Sequence, residues 1–201
     1  MDECCFSRNG VLNFHNYHTW AEFNPHAIRQ NNFQHRFSLN LWAGIVNNAL
    51  IGPFELPRRL NGDSYLQFLQ KTLPELLEDI PCAVRCNMWL MHDGCPAHFS
   101  RAVRDHLDVA FPNRWIGRGG FVSWPPRSPD LNPLDFFVWG YIKELVYATE
   151  VNSMDELRCR INAAAENLRQ QFTMLSDNWI RRAQLCVDMQ GQHFEHLLKI
   201  L

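Results

Sequence analysis

The sequence has no apolar run approaching the roughly 18 residues of a membrane-spanning helix, and no basic-then-apolar leader opens it, so no membrane partner is expected. Internal repeats and low-complexity tracts are absent, which sets aside solenoids and compositionally disordered arrays. A glycine-rich phosphate loop and a strained nucleophile elbow are both missing. Cys82 and Cys86 have no second cysteine pair to complete a zinc site, and His15, His18, His26 and His35 are too loosely spaced to supply one. The seven cysteines are odd in number and lack the rhythm of a secreted disulfide scaffold. A reduced, intracellular compartment is therefore expected. Neither sign of charge dominates: the net charge is −2. Global charge does not call for nucleic acid, although a local basic stripe is enough to hold it.

What is present is apolar material for one core. The chain has 201 residues, 46% of them hydrophobic, with 14 Phe and 7 Trp, a composition unlike that of disordered chains. The first third reads as β. Asn9-Gly10 signals a hairpin between Cys4–Arg8 and Val11–Phe14. Phe37–Val46 is followed by Asn47-Asn48 and a returning strand at Ala49–Leu56. Helices dominate afterwards. The spacing of Tyr65, Leu66, Leu69, Leu73 and Leu76 predicts a helix over 64–79, bent at Pro74. A short strand at Met88–Met91 delivers His92-Asp93 into a loop. Pro96 starts a helix running to about Ala110, with Ala102, Val103, Leu107 and Ala110 on one face. Phe121–Trp124 is a candidate strand. Asn132 and Pro133 open a helix to about Tyr147. Ser153-Met154-Asp155-Glu156 is a capping box before a helix with Leu157, Ile161, Ala164, Ala165 and Leu168 inward. A last helix holds Trp179, Ile180, Ala183 and Val187 and ends near Gly191. Strands first and helices after imply an α/β layered domain, residues 1–150, with a helical C-terminal extension over 151–201.

Three acids fall where strand ends and a helix start would meet: Asp2, Asp93 and Asp135. Carboxylates are hard oxygen ligands for magnesium or manganese, and two such ions can drive in-line phosphoryl transfer. Each acid also has a local reading. Asp135 complements a helix dipole, Asp93 before Gly94 suits a turn, and Asp2 belongs to a terminus. Arg101, Arg104, Arg114, Arg118 and Arg127 set five positive charges against Asp105 and Asp108 within residues 101–127. Arg101 and Arg104, one turn apart, suit a phosphate backbone, while Trp115 and Trp124 suit stacking on unpaired bases. A solvated arginine face with core tryptophans is the competing reading.

The strings Met91-His92-Asp93-Gly94-Cys95-Pro96-Ala97-His98, Trp115-Ile116-Gly117-Arg118-Gly119-Gly120 and Trp124-Pro125-Pro126-Arg127-Ser128-Pro129-Asp130-Leu131-Asn132-Pro133-Leu134-Asp135 closely resemble the catalytic core of mariner-type DNA transposases. These form the DDE/D group of the ribonuclease-H-like superfamily. Asp2-Glu3-Cys4-Cys5-Phe6-Ser7, with Cys4 and Cys5 a drift from the family's wording, resembles the first motif of that group. Trp42-Ala43-Gly44-Ile45 resembles its central hairpin, and the string from Gly191 to Leu198 its terminal motif.

The resemblance implies a ribonuclease-H-like α/β fold and two-metal cleavage and strand transfer of DNA with Mg2+ or Mn2+. It also implies Asp2, Asp93 and Asp135 as metal-binding acids, with Asp130 as rival for the third place. Forty-one residues separate Asp93 from Asp135, longer than is usual in the family, and the excess falls on Phe111–Val122. DNA is the implied partner, a homodimer is common in the group, and the implied location is nuclear. A family member would carry a strand leading into Asp2 and a DNA-reading region before it. The chain starts one residue ahead of Asp2, so the expectation is a truncated front, a poorly fixed Asp2 and degenerate activity. The alternative is a non-catalytic remnant that binds nucleic acid or protein.

Overall fold

A computed structural model describes residues 1–8, 37–125, 128–171 and 175–199. Strands β1 (Asp2–Ser7), β2 (Ser38–Val46) and β3 (Ala49–Leu56) form an antiparallel sheet in that order. Asp2 lies opposite Ala43, and Ser7 opposite Ser38. The β2–β3 turn falls on Asn47-Asn48, as expected, with Asn47 in the left-handed region at φ 53°, which asparagine tolerates better than most residues. The hairpin expected around Asn9-Gly10 lies outside the described residues.

Period-two alternation in β2 explains the layers. Leu39, Leu41 and Ala43 enter one core, together with Phe6. Helices α5 (Trp139–Val146) and α6 (Met154–Gln171) close that core with Ile142, Val146, Leu157, Ile161, Ala165 and Leu168. Trp42 points the other way, into a second core with Ile51, Leu56, Tyr65, Leu69, Leu90, Val103, Leu107 and Trp115. The sheet thus lies between two helical layers. Each leucine or isoleucine buried in these cores contributes about 1.5–3 kcal/mol. Because α6 supplies five buried side chains, Leu157, Ile161, Ala164, Ala165 and Leu168, it is a wall of the domain rather than an appendage.

Local chemistry sets the helix limits. Helix α1 (Gly62–Gln67) begins at a capping box in which Asn61 Oδ1 accepts from Ser64 N–H and Ser64 Oγ accepts from Asn61 N–H. Pro74 has no N–H to return to the preceding turn, and the helix widens into a π turn over Phe68–Thr72 before α2 (Leu73–Leu76). Helix α3 (Cys82–Asn87) leads to β4 (Leu90–Met91), which pairs in parallel with β5 (Trp115–Ile116). Helix α4 spans Arg101–Ala110. It starts five residues after the expected Pro96, because the Ser100 hydroxyl accepts from Val103 N–H and caps the helix there. Ala102 and Ala110 are exposed, and only Val103 and Leu107 of the expected face are buried. The stretch expected as a strand, Phe121–Trp124, contributes a single bridge from Val122 to Ile116. In the Ser153 capping box the Glu156 carboxylate reaches Asn152 N–H, one residue beyond the expected partner. Helix α7 (Leu175–Asp188) ends before Gly191, whose φ of 78° needs glycine.

Candidate acidic site

The two sheets meet where the Met1 amine donates to the Met91 carbonyl at 2.9 Å. That contact sets the head of β1 beside the end of β4, so residues 90 positions apart reach one edge. Asp2 is held firmly there, contrary to the expectation of a poorly fixed acid. It is paired into the sheet opposite Ala43, buried, and its Oδ2 accepts from Trp139 Nε1 at 2.9 Å.

Asp93 leaves β4 directly into a cleft of about 610 Å³ whose walls also include Met91, Arg118, Trp124, Asn132 and Asp135. Asp93 Oδ1 accepts from Cys95 N–H at 2.9 Å and lies 2.8 Å from His98 Nδ1. The latter contact is an ion pair. Asp135 sits in a second π turn, Leu134–Val138, at the opening of α5. Asn132 organises that opening: its Oδ1 accepts from Leu134 N–H, and its Nδ2 donates to Asp135 Oδ2 at 2.9 Å. The widened turn alters the direction in which Asp135 projects.

The carboxyls are shifted in opposite directions. Burial, then the charge of Asp135, push Asp2 up to about 7, against the pull of the Trp139 N–H. Partial burial also raises Asp135, with Asp93 adding to the rise and the hydrogen bonds of Asn132 and Asp2 opposing it. Burial works upward on Asp93 too, yet His98 and the Cys95 N–H outweigh it and hold Asp93 low.

His98 is the hub of this arrangement. It is buried, and its Nε2 bonds Glu3 at 3.2 Å while its Nδ1 faces Asp93. Burial alone would lower it, but the two carboxylates raise it to about 10. Its ring packs against Tyr65, at 4.2 Å, and against His92, stacked at 4.8 Å with planes 3° apart. Burial first, then His98, depress His92 to about 3, so it stays neutral beside the cation. Gly117 admits the His92 ring, since a Cβ there would come within 2.5 Å of its Nε2. Asp93, Cys95 and His98 also bring three donor atoms within 4.8 Å of one another. A protonated His98 has no lone pair to offer a metal, so it acts as an orienting cation. The oxygen donors Asp2, Asp93 and Asp135 suit a hard divalent ion, and the upward shifts of Asp2 and Asp135 are what crowded carboxylates show without one.

The basic and aromatic residues separate. Arg118 lines the cleft, and Arg118 and Arg104 flank the Phe99 ring at 4.2 and 4.6 Å. Arg101 points to solvent beside Asp105. Arg114 straps the carbonyls of Cys86 and Met88. Arg127 lies outside the described residues. Trp124 is half-buried on the cleft wall. Trp115 is fully buried, and its Nε1 donates to Asp108 at 2.8 Å. The base-stacking expectation therefore fails for Trp115, a core residue whose faces are already covered. Asp130 lies in the 3-10 turn Pro129–Leu131 and lines a neighbouring hollow with Asp135 and Glu195, away from the first cleft. Sequence reasoning missed Glu3 and Trp139; it placed Asn132 at the helix opening but not its bond to Asp135. The adjacency of Glu3 to Asp2 was the one signal for the other two.

The layered α/β domain thus sets Asp2 on β1, Asp93 after β4 and Asp135 at the opening of α5. Comparison with solved structures makes this specific. The Mos1 transposase catalytic domain, solved with raltegravir and Mn, superposes with a TM-score of 0.65 and 20% identity over 78% of each chain. The Mos1 mariner paired-end complex with Mn matches at 0.66 and 20% identity, over 96% of this chain and 55% of that one. In sequence, the Tc3 transposase of Caenorhabditis elegans is 25% identical over 108 residues, 54% of this chain and 30% of that protein. The chain thus spans well under two thirds of the length of the curated relative it matches. No family model matches. The fold is that of a mariner-type transposase catalytic domain, and the resemblance carried by the sequence motifs stands.

Proposed function

We propose that the chain is a DDE/D transposase catalytic domain that cleaves DNA phosphodiesters and transfers strands, using two Mg2+ or Mn2+ ions. The observation that carries this reading is the proximity of the acids: Asp135 raises Asp2, Asp93 raises Asp135, and Asp93 and Asp135 line one arginine-bearing cleft. Ions held by these three acids would activate the attacking water or 3′-hydroxyl and stabilise the leaving oxygen. The Mos1 structures, solved with Mn and with Mg and as a paired-end complex, support the metal and the DNA.

The chain's own groups prepare the site. His98 presents Asp93 charged, Trp139 fixes Asp2 and Asn132 fixes Asp135. Arg118, with Arg104 beside it, faces the phosphate backbone, and Trp124 offers a ring to an unpaired base. Because Asp2 is anchored, we infer that the centre assembles in this chain. A nuclear location and pairing of two copies follow from the same reading, and are tested by imaging of a tagged chain and by sedimentation with DNA.

The primary test is nicking of supercoiled plasmid with Mg2+ or Mn2+, run beside Asp93→Asn and Asp135→Asn. Metal-dependent nicking lost in both variants is the expected result. No nicking by folded protein, with DNA binding that depends on salt but not on Asp93, would leave a binding module instead.

A further inference from the structure

Away from the cleft, two thiols lie side by side on α3. Cys82 and Cys86 are both exposed, one helical turn apart, with their Sγ atoms 3.7 Å apart. The backbone that spaces them is pinned at each end. Val84 and Arg85 N–H donate to the Pro81 carbonyl, Asn87 Nδ2 donates to Ala83 and Met88 N–H donates to Val84. Arg114 then ties the carbonyls of Cys86 and Met88 to the start of β5. Two sulfurs bound at about 2.3 Å to one tetrahedral ion stand about 3.8 Å apart. The observed separation is therefore already the bite of a dithiolate chelate, with no backbone movement required.

We propose that Cys82 and Cys86 form a bidentate site for a thiophilic divalent cation, zinc or cadmium, separate from the oxygen-lined cleft. Binding replaces two S–H bonds by two metal–sulfur bonds and releases two protons to solvent. Water or an outside ligand completes the coordination, since both thiols face solvent. Without a cation the Cys82 thiol holds the Cys86 proton on, while the charges of Arg114 and Arg85 favour the thiolate that a metal would capture. Donor softness separates the two sites: carboxylates select Mg2+ and Mn2+, and thiolates select Zn2+ and Cd2+. The absence of a second cysteine pair, which argued against a closed structural zinc site, is compatible with an open, exchangeable one.

The test is titration of the reduced full chain with Cd2+, read by thiolate-to-cadmium charge-transfer absorbance and native mass. One thiolate-bound ion per chain is expected from the charge-transfer band, displaced by Zn2+, with native mass run beside Cys82→Ser to subtract any ion held in the cleft. The band should be lost in Cys82→Ser and in Cys86→Ser, and retained in Cys159→Ser, which alters another exposed thiol. Circular dichroism checks that each variant is folded. A band that survives both substitutions, halves in each, or vanishes instead in Cys95→Ser overturns the proposal. A second measurement needs no variant. Phenylarsine oxide condenses with two thiols with loss of one water, and peptide mapping of the treated wild-type chain should find both attachments at Cys82 and Cys86. Attachment elsewhere overturns the site.

Discussion

Asp93 and Asp135 line the same cleft, yet one carboxyl is held below the ordinary carboxylate range and the other above it. The β4 side brings its own cation. His98, buried against Tyr65 and His92, holds the Asp93 carboxyl down. On the β1–α5 side the hydrogen bonds to Asp2 and Asp135 come from the neutral Trp139 and Asn132 side chains, and the opposing charges of the Met1 amine and Lys143 do not outweigh burial. One wall brings its own cation to its acid, and on the other burial pushes both acids up, a rise that a bound cation would oppose. The difference teaches that a three-acid centre need not be symmetric, and each prediction below breaks one wall at a time.

The largest effect belongs to Asp93→Asn, which removes the acid that His98 holds low. Plasmid nicking should fall by roughly three orders of magnitude or more, with the melting temperature little changed. Next comes His98→Gln, which keeps hydrogen-bonding capacity and loses the charge. Loss of such an orienting partner costs about 10–100-fold in metal affinity or activity. Because the role is positioning, the Mn2+ concentration for half-maximal nicking should rise, and saturating Mn2+ should restore part of the rate. An unchanged metal requirement would reduce His98 to a core residue.

On the other wall, Trp139→Phe keeps the edge contact with Phe6 and deletes the donor to Asp2. Leaving that buried oxygen unpaired costs about 1–3 kcal/mol, measurable by urea unfolding. Added Mn2+ should narrow the gap, because a cation would serve the same carboxylate. Smaller again is the contrast between Arg118→Ala and Arg101→Ala. Removing the cleft arginine should weaken DNA binding several-fold and reduce the salt slope by about one unit. Removing Arg101, paired with Asp105 in solvent, should alter neither.

The chemistry was legible wherever it was written contiguously. His92 to His98 and Ser128 to Asp135 are unbroken strings whose turn, cap and acid lie within one loop, and the alternation of Leu39, Leu41 and Ala43 against Trp42 is a local pattern. The supports of the site are not local. Trp139 reaches Asp2 across 137 positions and His98 reaches Glu3 across 95, separations that no periodicity reports. Trp115 shows the same limit from the other side. A two-residue strand is too short to display a buried face, so a ring fully enclosed by the second core reads like one free to stack on a base. The start of α4 likewise fell at Ser100 rather than Pro96, where a side-chain hydroxyl accepts from Val103 N–H.

The smallest effect tests how β1, and with it Asp2, is anchored at its far end. Tyr147 donates to the Ser7 carbonyl at 2.7 Å and accepts from Ser7 N–H at 3.0 Å. Burial raises its phenol to about 12, against the pull of Ser7 N–H. An acid whose folded pKa exceeds its unfolded value, near 10 for tyrosine, stabilises the fold fully below pH 10. That contribution is lost as pH rises through 12, because the folded state resists giving up the proton. Tyr147→Phe should therefore cost about 1 kcal/mol at neutral pH, and the difference from wild type should close between pH 10 and 12. Urea unfolding of both proteins across that window measures it. A constant difference would show that the hydroxyl contributes by packing alone, and that β1 is fixed by its pairing with β2 and by the acid at its head.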